Sequence, residues 1–439
     1  MMKTYDEVIE YLYARLPMFT RDGASAIKKD VNNTLRFCAA LDNPHQKFKS
    51  VHVAGTNGKG STSHMLASIF ASAGYKTGLY TSPHLVDFRE RIRVNGQMIS
   101  EAEVLAFVNQ HLPTITEISP SFFEVTVAMA FDYFAREQVD IAIIEVGLGG
   151  RLDSTNIILP ELAVITNIGM DHMNLLGDTL QEIAGEKAGI IKKDIPVVVS
   201  EWDEQVAHVF EEYAQKVGAP LKFATADLQV LAAERKEPGL QVEVLNKQTG
   251  GQQVWEMALA GSYQQKNLLG VLTAVAALQK QGWALKEEDI RAGLLEVQKQ
   301  TGLQGRWQTL STDPYIICDT GHNEDGIREV VQNLKQTKYN QLHMVIGAMR
   351  DKDLSHMLPL LPAGAKYYFC SPDMPRALPV KELREAAASW KLKGEDFVTV
   401  EGALRAAKDN FRTGDLIFVG GSTFVVAEVL TAEKSKEQS

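Results

Sequence analysis

The sequence predicts an α/β protein of two domains, on three observations. Short apolar β-branched runs alternate with longer helical patterns almost throughout, as in a parallel sheet covered by helices. A polar, glycine-containing stretch, Gln300-Thr301-Gly302-Leu303-Gln304-Gly305, interrupts that alternation well past the middle of the chain. Beyond it the alternation restarts. The expected division is residues 1–299 and 300–439, although a length of 439 residues alone allows about three domains. The first domain should be a mostly parallel sheet with helices on both faces, the second a smaller α/β unit.

Taken in order, Ser50-Val51-His52-Val53-Ala54 reads as a buried strand, followed by a glycine-rich turn and a helix from Lys59 to Ala73. Thr77–Thr81 is a second strand. Phe88 to Met98 should form a hairpin turning at Asn95-Gly96, the strongest short hairpin signal. Val139–Ile144 and Leu162–Ile165 read as central strands, and Thr179-Leu180-Gln181-Glu182 opens a helix with a capping box before the strand Ile195–Val199. Leu240, Val242 and Val244 alternate, as do Trp255, Met257 and Leu259, around Thr249-Gly250-Gly251, giving a second hairpin. Helices Gln264–Gln281 and Lys286–Lys299 complete the first domain. After the linker, Tyr315–Cys318, Leu342–Ile346, Lys366–Cys370 and Leu416–Val419 read as strands.

Composition narrows the function. With 45 Lys+Arg against 55 Asp+Glu the net charge is −10, which argues against nucleic-acid and membrane-surface partners, since phosphate-rich surfaces select a basic excess. Small anionic substrates need only a local positive patch. A hydrophobic fraction of 45% with 23% charged residues fills an ordinary globular core. Cys38, Cys318 and Cys370 are too few and scattered for a disulfide framework. The acidic N-terminus lacks the apolar core of a signal peptide, and no run approaches the ~18 apolar residues of a membrane span. The expected setting is the cytoplasm.

The sharpest local feature is Gly55-Thr56-Asn57-Gly58-Lys59-Gly60-Ser61-Thr62, directly after a strand and opening a helix. Glycines there let backbone N–H groups converge on phosphate oxygens, and the helix N-terminus adds positive potential. Lys59 can reach terminal phosphates, and the Ser61 or Thr62 hydroxyl can approach magnesium. The strict G-x-x-x-x-G-K-[ST] pattern is not met, because Val53 stands where its first glycine belongs and Gly60 follows the lysine. Glu145 closes the strand Val139–Ile144 at the edge that faces the ligand crevice in open α/β sheets, where a carboxylate suits magnesium. It leads into Gly147-Leu148-Gly149-Gly150-Arg151-Leu152-Asp153, whose glycines permit close approach and whose arginine offers an anion contact.

Other positions carry two readings each. His172, after Asp171 at the edge of the strand Leu162–Ile165, is a metal ligand or a helix cap. Ser82, in Ser82-Pro83-His84, is a ligand or a turn residue. Glu124 belongs to the capping box Ser121-Phe122-Phe123-Glu124. Arg89, Arg91 and Arg93 on one face of the hairpin are a solvated edge or a positive patch. Lys187, among small and apolar neighbours, is a nucleophilic lysine of depressed pKa or a snorkelling one. Arg306, Asp319 and His322 in the second domain can face nucleotide.

Taken together these motifs resemble the Mur ligase superfamily, and within it the folylpolyglutamate synthase/dihydrofolate synthase family. The resemblance rests on His52–Ser61, Thr81-Ser82-Pro83-His84-Leu85, Phe88-Arg89-Glu90-Arg91-Ile92, Glu145–Asp153, Asp171-His172, Gly185-Glu186-Lys187-Ala188-Gly189, Gln264 with Asn267, and Asp319 with His322. It implies a P-loop-type first domain and a Rossmann-like second one. It further implies that Gly55, Thr56, Asn57, Gly58, Lys59, Gly60 and Ser61 bind ATP phosphates, and that Ser61, Ser82, Glu145 and His172 hold Mg2+. Lys187 would be carbamylated, and Lys59, Lys187 and His172 would be catalytic. Asn267, Arg306, Asp319 and His322 would contact the nucleotide from the second domain's side, and Phe123, Asp153 and Ser154 the pterin.

The implied reaction is glutamate ligation through an acyl phosphate on folate or dihydropteroate, with small-molecule partners, no nucleic acid or membrane, and a monomeric protein. Two departures stand out. Gln304-Gly305-Arg306 replaces the family's usual Pro-Gly-Arg, and Asp319-Thr320-Gly321-His322-Asn323 its Asp-Gly-Ala-His-Asn. A cell-wall amino-acid ligase of the same superfamily is the nearest rival, but only 54 residues precede Gly55, too few for the substrate domain such ligases carry there. A non-catalytic ATP-binding module would not need the metal set or the second-domain residues.

Overall fold

Val51, Val53, Ile141, Ile143, Val164 and Ile165 are all withdrawn from water. At about 1.5–3 kcal/mol per side chain, that burial is the main reason such short runs pair. The computed structural model describes residues 1–26, 28, 30–236 and 238–437. They fall into two units, Met1–Ala258 with Gln264–Leu303, and Leu259–Tyr263 with Gln304–Ser439. The five-residue segment Leu259–Tyr263, which the sequence assigns to the first domain, belongs to the second unit.

The first unit is built on β1 (Lys49–Ala54), β2 (Thr77–Tyr80), β3 (Ile92–Val94), β4 (Gln97–Met98), β5 (Ile141–Glu145), β6 (Leu162–Ile165), β7 (Val197–Val199) and β8 (Leu221–Phe223), in the order β4-β3-β2-β5-β1-β6-β7-β8. From β2 to β8 every pairing is parallel, and β3 and β4 add an antiparallel edge. The turn of that hairpin has Asn95 at φ 47° and Gly96 at φ 76°, as a type I′ turn requires. A three-stranded antiparallel sheet, β9 (Leu228–Lys236), β10 (Gly239–Asn246) and β11 (Gln252–Met257), contains the second expected hairpin and one strand the sequence does not announce. The helix Lys59–Ser72 is buried from Ser61 to Phe70. It approaches the helix Glu287–Leu295 so closely that a side chain on Gly293 would strike the Ile69 backbone, and the Ser68 hydroxyl donates to the Gly293 carbonyl at 2.7 Å.

The second unit holds β12 (Gln308–Thr312), β13 (Tyr315–Cys318), β14 (Leu342–Ile346), β15 (Lys366–Cys370), β16 (Gly394–Phe397) and β17 (Leu416–Gly420), in the order β12-β13-β17-β14-β15-β16. Only β12 runs antiparallel to its neighbour. Among the described residues no helix is long and apolar enough to cross a membrane.

The expected first hairpin also changes at its start. Phe88–Arg91 is a 3-10 turn rather than strand, because Asp87 and Glu90 cap it reciprocally. The Glu90 carboxylate also receives the N–H groups of Leu85, Val86 and Asp87 at 2.8, 3.1 and 3.0 Å. The three arginines therefore share no solvated face: Arg89 pairs with Asp87 at 2.6 Å, while Arg91 and Arg93 are buried.

Candidate active site

The chain leaves β1 at Ala54 and turns into the helix Lys59–Ser72 through Gly55 at φ +146° and Gly58 at φ +85°, conformations that glycine adopts without strain. Both glycines are also close-packed: a Cβ would overlap the Thr166 hydroxyl at Gly55 and the Asn267 carboxamide at Gly58. The segment after β6 clamps the loop from outside. Thr56 N–H donates to the Asn167 carbonyl at 2.9 Å and Asn57 N–H to Asn167 Oδ1 at 2.8 Å. Thr56 Oγ1 is bonded to both the carbonyl and the N–H of Gly169, and Thr166 Oγ1 donates to the Asn57 carbonyl at 2.5 Å. Sequence reading missed Thr166 and Asn167; their signal was only a Thr-Asn pair at a strand's carboxyl end. The loop is thus fixed at the positive end of a buried helix. Lys59 folds over it, its Nζ donating to the Gly55 and Thr56 carbonyls at 3.0 and 3.1 Å.

Ser61, one turn into the helix, is buried and its hydroxyl receives Gln264 Nε2 at 3.0 Å, while Gln264 Oε1 takes Asn267 Nδ2 at 2.8 Å. Asn267 therefore stands in the first unit, on the helix Gln264–Lys280, and not on the second domain's side as the motif reading has it; the reason is its contact with Gly58.

Glu145 is the last residue of β5, in register with Val53 of β1 and 4% exposed. Its Oε2 accepts the Ser82 N–H at 3.1 Å, so these two predicted positions meet directly. His172 lies after β6 with a left-handed backbone (φ 50°), packed edge-on against Phe19 with ring centroids 5.6 Å apart, and its Nε2 is 3.8 Å from Asp171 Oδ1. Among the described residues no three His, Cys, Asp or Glu side chains converge on a metal position. One carboxylate, serine hydroxyls and an imidazole do not make a closed zinc cage. They suit Mg2+, which takes one or two carboxylates and completes its shell with waters and substrate phosphates.

Behind the loop, Lys187 is buried on the helix Leu180–Ala188. Burial, seconded by the Lys59 ammonium and opposed by Asp171 and Glu186, pulls its pKa down to about 7. A lysine so placed is an amine for much of the time near neutrality. The glycine-rich segment after β5 packs on this helix. A Cβ on Gly150 would strike the Glu186 carbonyl and crowd Lys187 Cα, Arg151 N–H donates to the Glu186 carbonyl at 2.7 Å, and Arg151 pairs with the Glu186 carboxylate at 2.7 Å. Gly147 lies against the Phe123 ring, where any side chain would collide with it. Asp153 is buried and caps the turn Ser154–Ile157, and burial raises its pKa against the pull of its hydrogen-bond donors. Ser154 is the half-buried first residue of that turn.

In the second unit the Arg306 guanidinium donates to Thr320 Oγ1 and to the Gly305 carbonyl. Asp319, at the carboxyl end of β13, is buried and receives the N–H groups of Trp307 and Gly321, both at 2.8 Å, and the Tyr263 hydroxyl at 2.6 Å. Burial raises the pKa of Asp319, and these donors and Arg306 oppose the shift. His322 Nδ1 donates to the Thr320 carbonyl at 2.9 Å, which fixes the imidazole's orientation. Tyr263 escaped sequence reading because nothing local marks a tyrosine 56 positions before the aspartate it touches.

Comparison with known proteins agrees with this fold. Residues 53–275 match the Mur ligase middle domain and residues 305–423 the Mur ligase glutamate ligase domain. The chain is 33% identical to the dihydrofolate synthase/folylpolyglutamate synthase of Bacillus subtilis over 98% of this chain and 99% of that protein. It is 33% identical to its Escherichia coli counterpart over 86% and 85% of the two chains. Among solved structures, Escherichia coli FolC in complex with DHPP and ADP superposes with a TM-score of 0.86 at 30% identity, covering 99% of both chains. A bifunctional folylpolyglutamate synthase/dihydrofolate synthase with Mn, AMPPNP and L-glutamate bound superposes with a TM-score of 0.82 at 30% identity over 98% of both.

Proposed function

We propose, because this chain belongs to the folylpolyglutamate synthase/dihydrofolate synthase family of Mur ligases, that it is an ATP-dependent ligase joining L-glutamate to the carboxylate of folates and of dihydropteroate. One observation carries the reading: the clamped loop Gly55–Ser61 with Lys59 over it, one strand away from Glu145, whose carboxylate takes the Ser82 N–H. A phosphate cradle, a cation and a carboxylate for a hard metal share one sheet edge.

A carboxylate oxygen of the acceptor attacks the γ-phosphorus of ATP, releasing ADP and leaving an acyl phosphate. The glutamate amine attacks the carbonyl carbon, and the tetrahedral adduct collapses to amide and phosphate. The protein contributes position and charge. Backbone N–H groups of residues 58–61, at the start of the helix, face the phosphates, those of Thr56 and Asn57 being taken by Asn167, and the Lys59 ammonium moves from two loop carbonyls onto phosphate oxygens as charge develops. Ser61, Ser82, Glu145 and His172 would hold Mg2+, which when bound neutralises phosphate charge. Asn267, and in the second unit Arg306, Asp319 and His322, contact the nucleotide. Phe123, Asp153 and Ser154 contact the pterin, Asp153 through the lone pairs its present donors leave over. Lys187 reacts as a free amine with carbon dioxide; its buried site and pKa of about 7 support the resulting carbamate. Three buried, unpaired cysteines suit a reducing compartment, and we place the reaction in the cytoplasm.

Purified protein incubated with ATP, Mg2+, L-glutamate and either dihydropteroate or tetrahydrofolate should release ADP only when acceptor and glutamate are both present, with a glutamylated product by mass spectrometry. Product from tetrahydrofolate alone restricts the assignment to folylpolyglutamate synthase; no product from either acceptor refutes it. In the same assay, carbon dioxide depletion should lower the rate and bicarbonate restore it. An unchanged rate in depleted buffer removes the carbamate.

A further inference from the structure

His52 sits in the middle of β1, fully buried, and the phosphate-loop reading leaves it no part. Its Nε2 is 2.8 Å from Thr155 Oγ1, and the Thr155 hydroxyl donates to Asp153 Oδ1 at 2.5 Å. The direction of this chain follows from proton counting. Asp153 also receives the N–H groups of Thr155 at 3.0 Å and Leu148 at 2.9 Å, and three donors favour the carboxylate. With its one proton given to Asp153, the Thr155 oxygen can only accept from His52, so the imidazole carries its proton on Nε2. His52 Nδ1 is buried without a hydrogen-bond partner, and a proton there would be an unpaired buried donor. Burial, with the Lys192 charge adding to it, accordingly depresses the His52 pKa to about 3, leaving the ring neutral.

The far end of the chain does two jobs. Asp153 caps the turn Ser154–Ile157, and through Leu148 N–H it holds the glycine segment that lies under Phe123 at Gly147 and on Lys187 at Gly150. A buried line of hydrogen bonds thus runs from the strand carrying the phosphate loop to Asp153 and Leu148, next to Ser154 in the chain and to the Gly147 backbone on which Phe123 packs.

We infer that His52 and Thr155 are positioning residues of the acceptor subsite: without touching substrate, they orient Asp153 and, through it, the glycine segment beneath Phe123. This rests on the proposed function, in which those three residues contact the pterin.

The test is steady-state kinetics of Thr155→Val, which keeps the shape and deletes the hydroxyl, against Thr155→Ser, which keeps the hydroxyl. Thr155→Val should raise the acceptor KM about tenfold, the cost of one broken buried hydrogen bond. The KM values for ATP and glutamate should stay within about twofold, and Thr155→Ser should return the acceptor KM towards that of the unaltered protein. An unchanged acceptor KM in Thr155→Val, or an equal rise in all three KM values that serine does not rescue, overturns the inference. If Thr155→Val does not fold, His52→Leu and His52→Gln are read the same way, with the glutamine carboxamide replacing the Nε2 donor. An unaltered protein that makes no glutamylated product overturns the functional reading itself, and this inference with it.

Discussion

Lys59→Ala is expected to lower kcat at least about 10²–10³-fold, the cost typical of removing one preorganised group that meets charge developing in a transition state. Lys59 is half-buried at the first turn of its helix, and among the described residues its ammonium has its carbonyl partners at Gly55 and Thr56. Alanine is the best helix former at that position. The loop itself is held by Thr166, Asn167 and Gly169, which the substitution leaves alone. Folding should therefore survive, with a melting temperature close to that of the unaltered protein, and the loss should appear in turnover. Steady-state ADP release checks this. A variant that retains activity would mean the loop does not cradle the transferred phosphate.

Glu145→Gln should produce the second large effect, a fall in kcat/KM of about 10²-fold, or about 3 kcal/mol. The Mg2+ concentration for half-maximal rate should rise with it. The substitution isolates charge: a glutamine oxygen still accepts the Ser82 N–H that Glu145 accepts at 3.1 Å. The side chain is almost fully buried, so neutralising it should leave stability equal or improved. A residue that only braces the strand end would behave in the opposite way, losing stability and keeping its metal dependence. A magnesium titration with a thermal melt separates the two; an unchanged half-maximal Mg2+ concentration would remove Glu145 from the metal site.

The sites of both substitutions were legible in the sequence because the chemistry is local. Gly55 to Ser61 carries its own strand, turn and helix start, and Glu145 stands where a hydrophobic strand stops at a glycine run. Capping boxes at Ser121 and Thr179 form as their spacing requires. What stayed hidden depends on distant partners. β9 has polar or exposed residues on both faces, so no alternation announces it, and β16 is an edge strand of sequence Gly-Glu-Asp-Phe recognisable only by its pairing with β15. The turn Phe88–Arg91 was readable from Asp87 and Glu90, three residues apart, but alternating arginines mimicked a strand. The clamp from Thr166 and Asn167, and the hydroxyl that Tyr263 gives Asp319, join segments far apart in the chain, and no local pattern encodes them.

In the proposed reaction, ATP energy reaches the new amide through an acyl phosphate made on the acceptor. Dihydropteroate labelled with 18O in both carboxylate oxygens follows that route atom by atom. One labelled oxygen should leave in the inorganic phosphate and the other should remain in the amide carbonyl. Glutamylated product accompanied by unlabelled phosphate would contradict the claim.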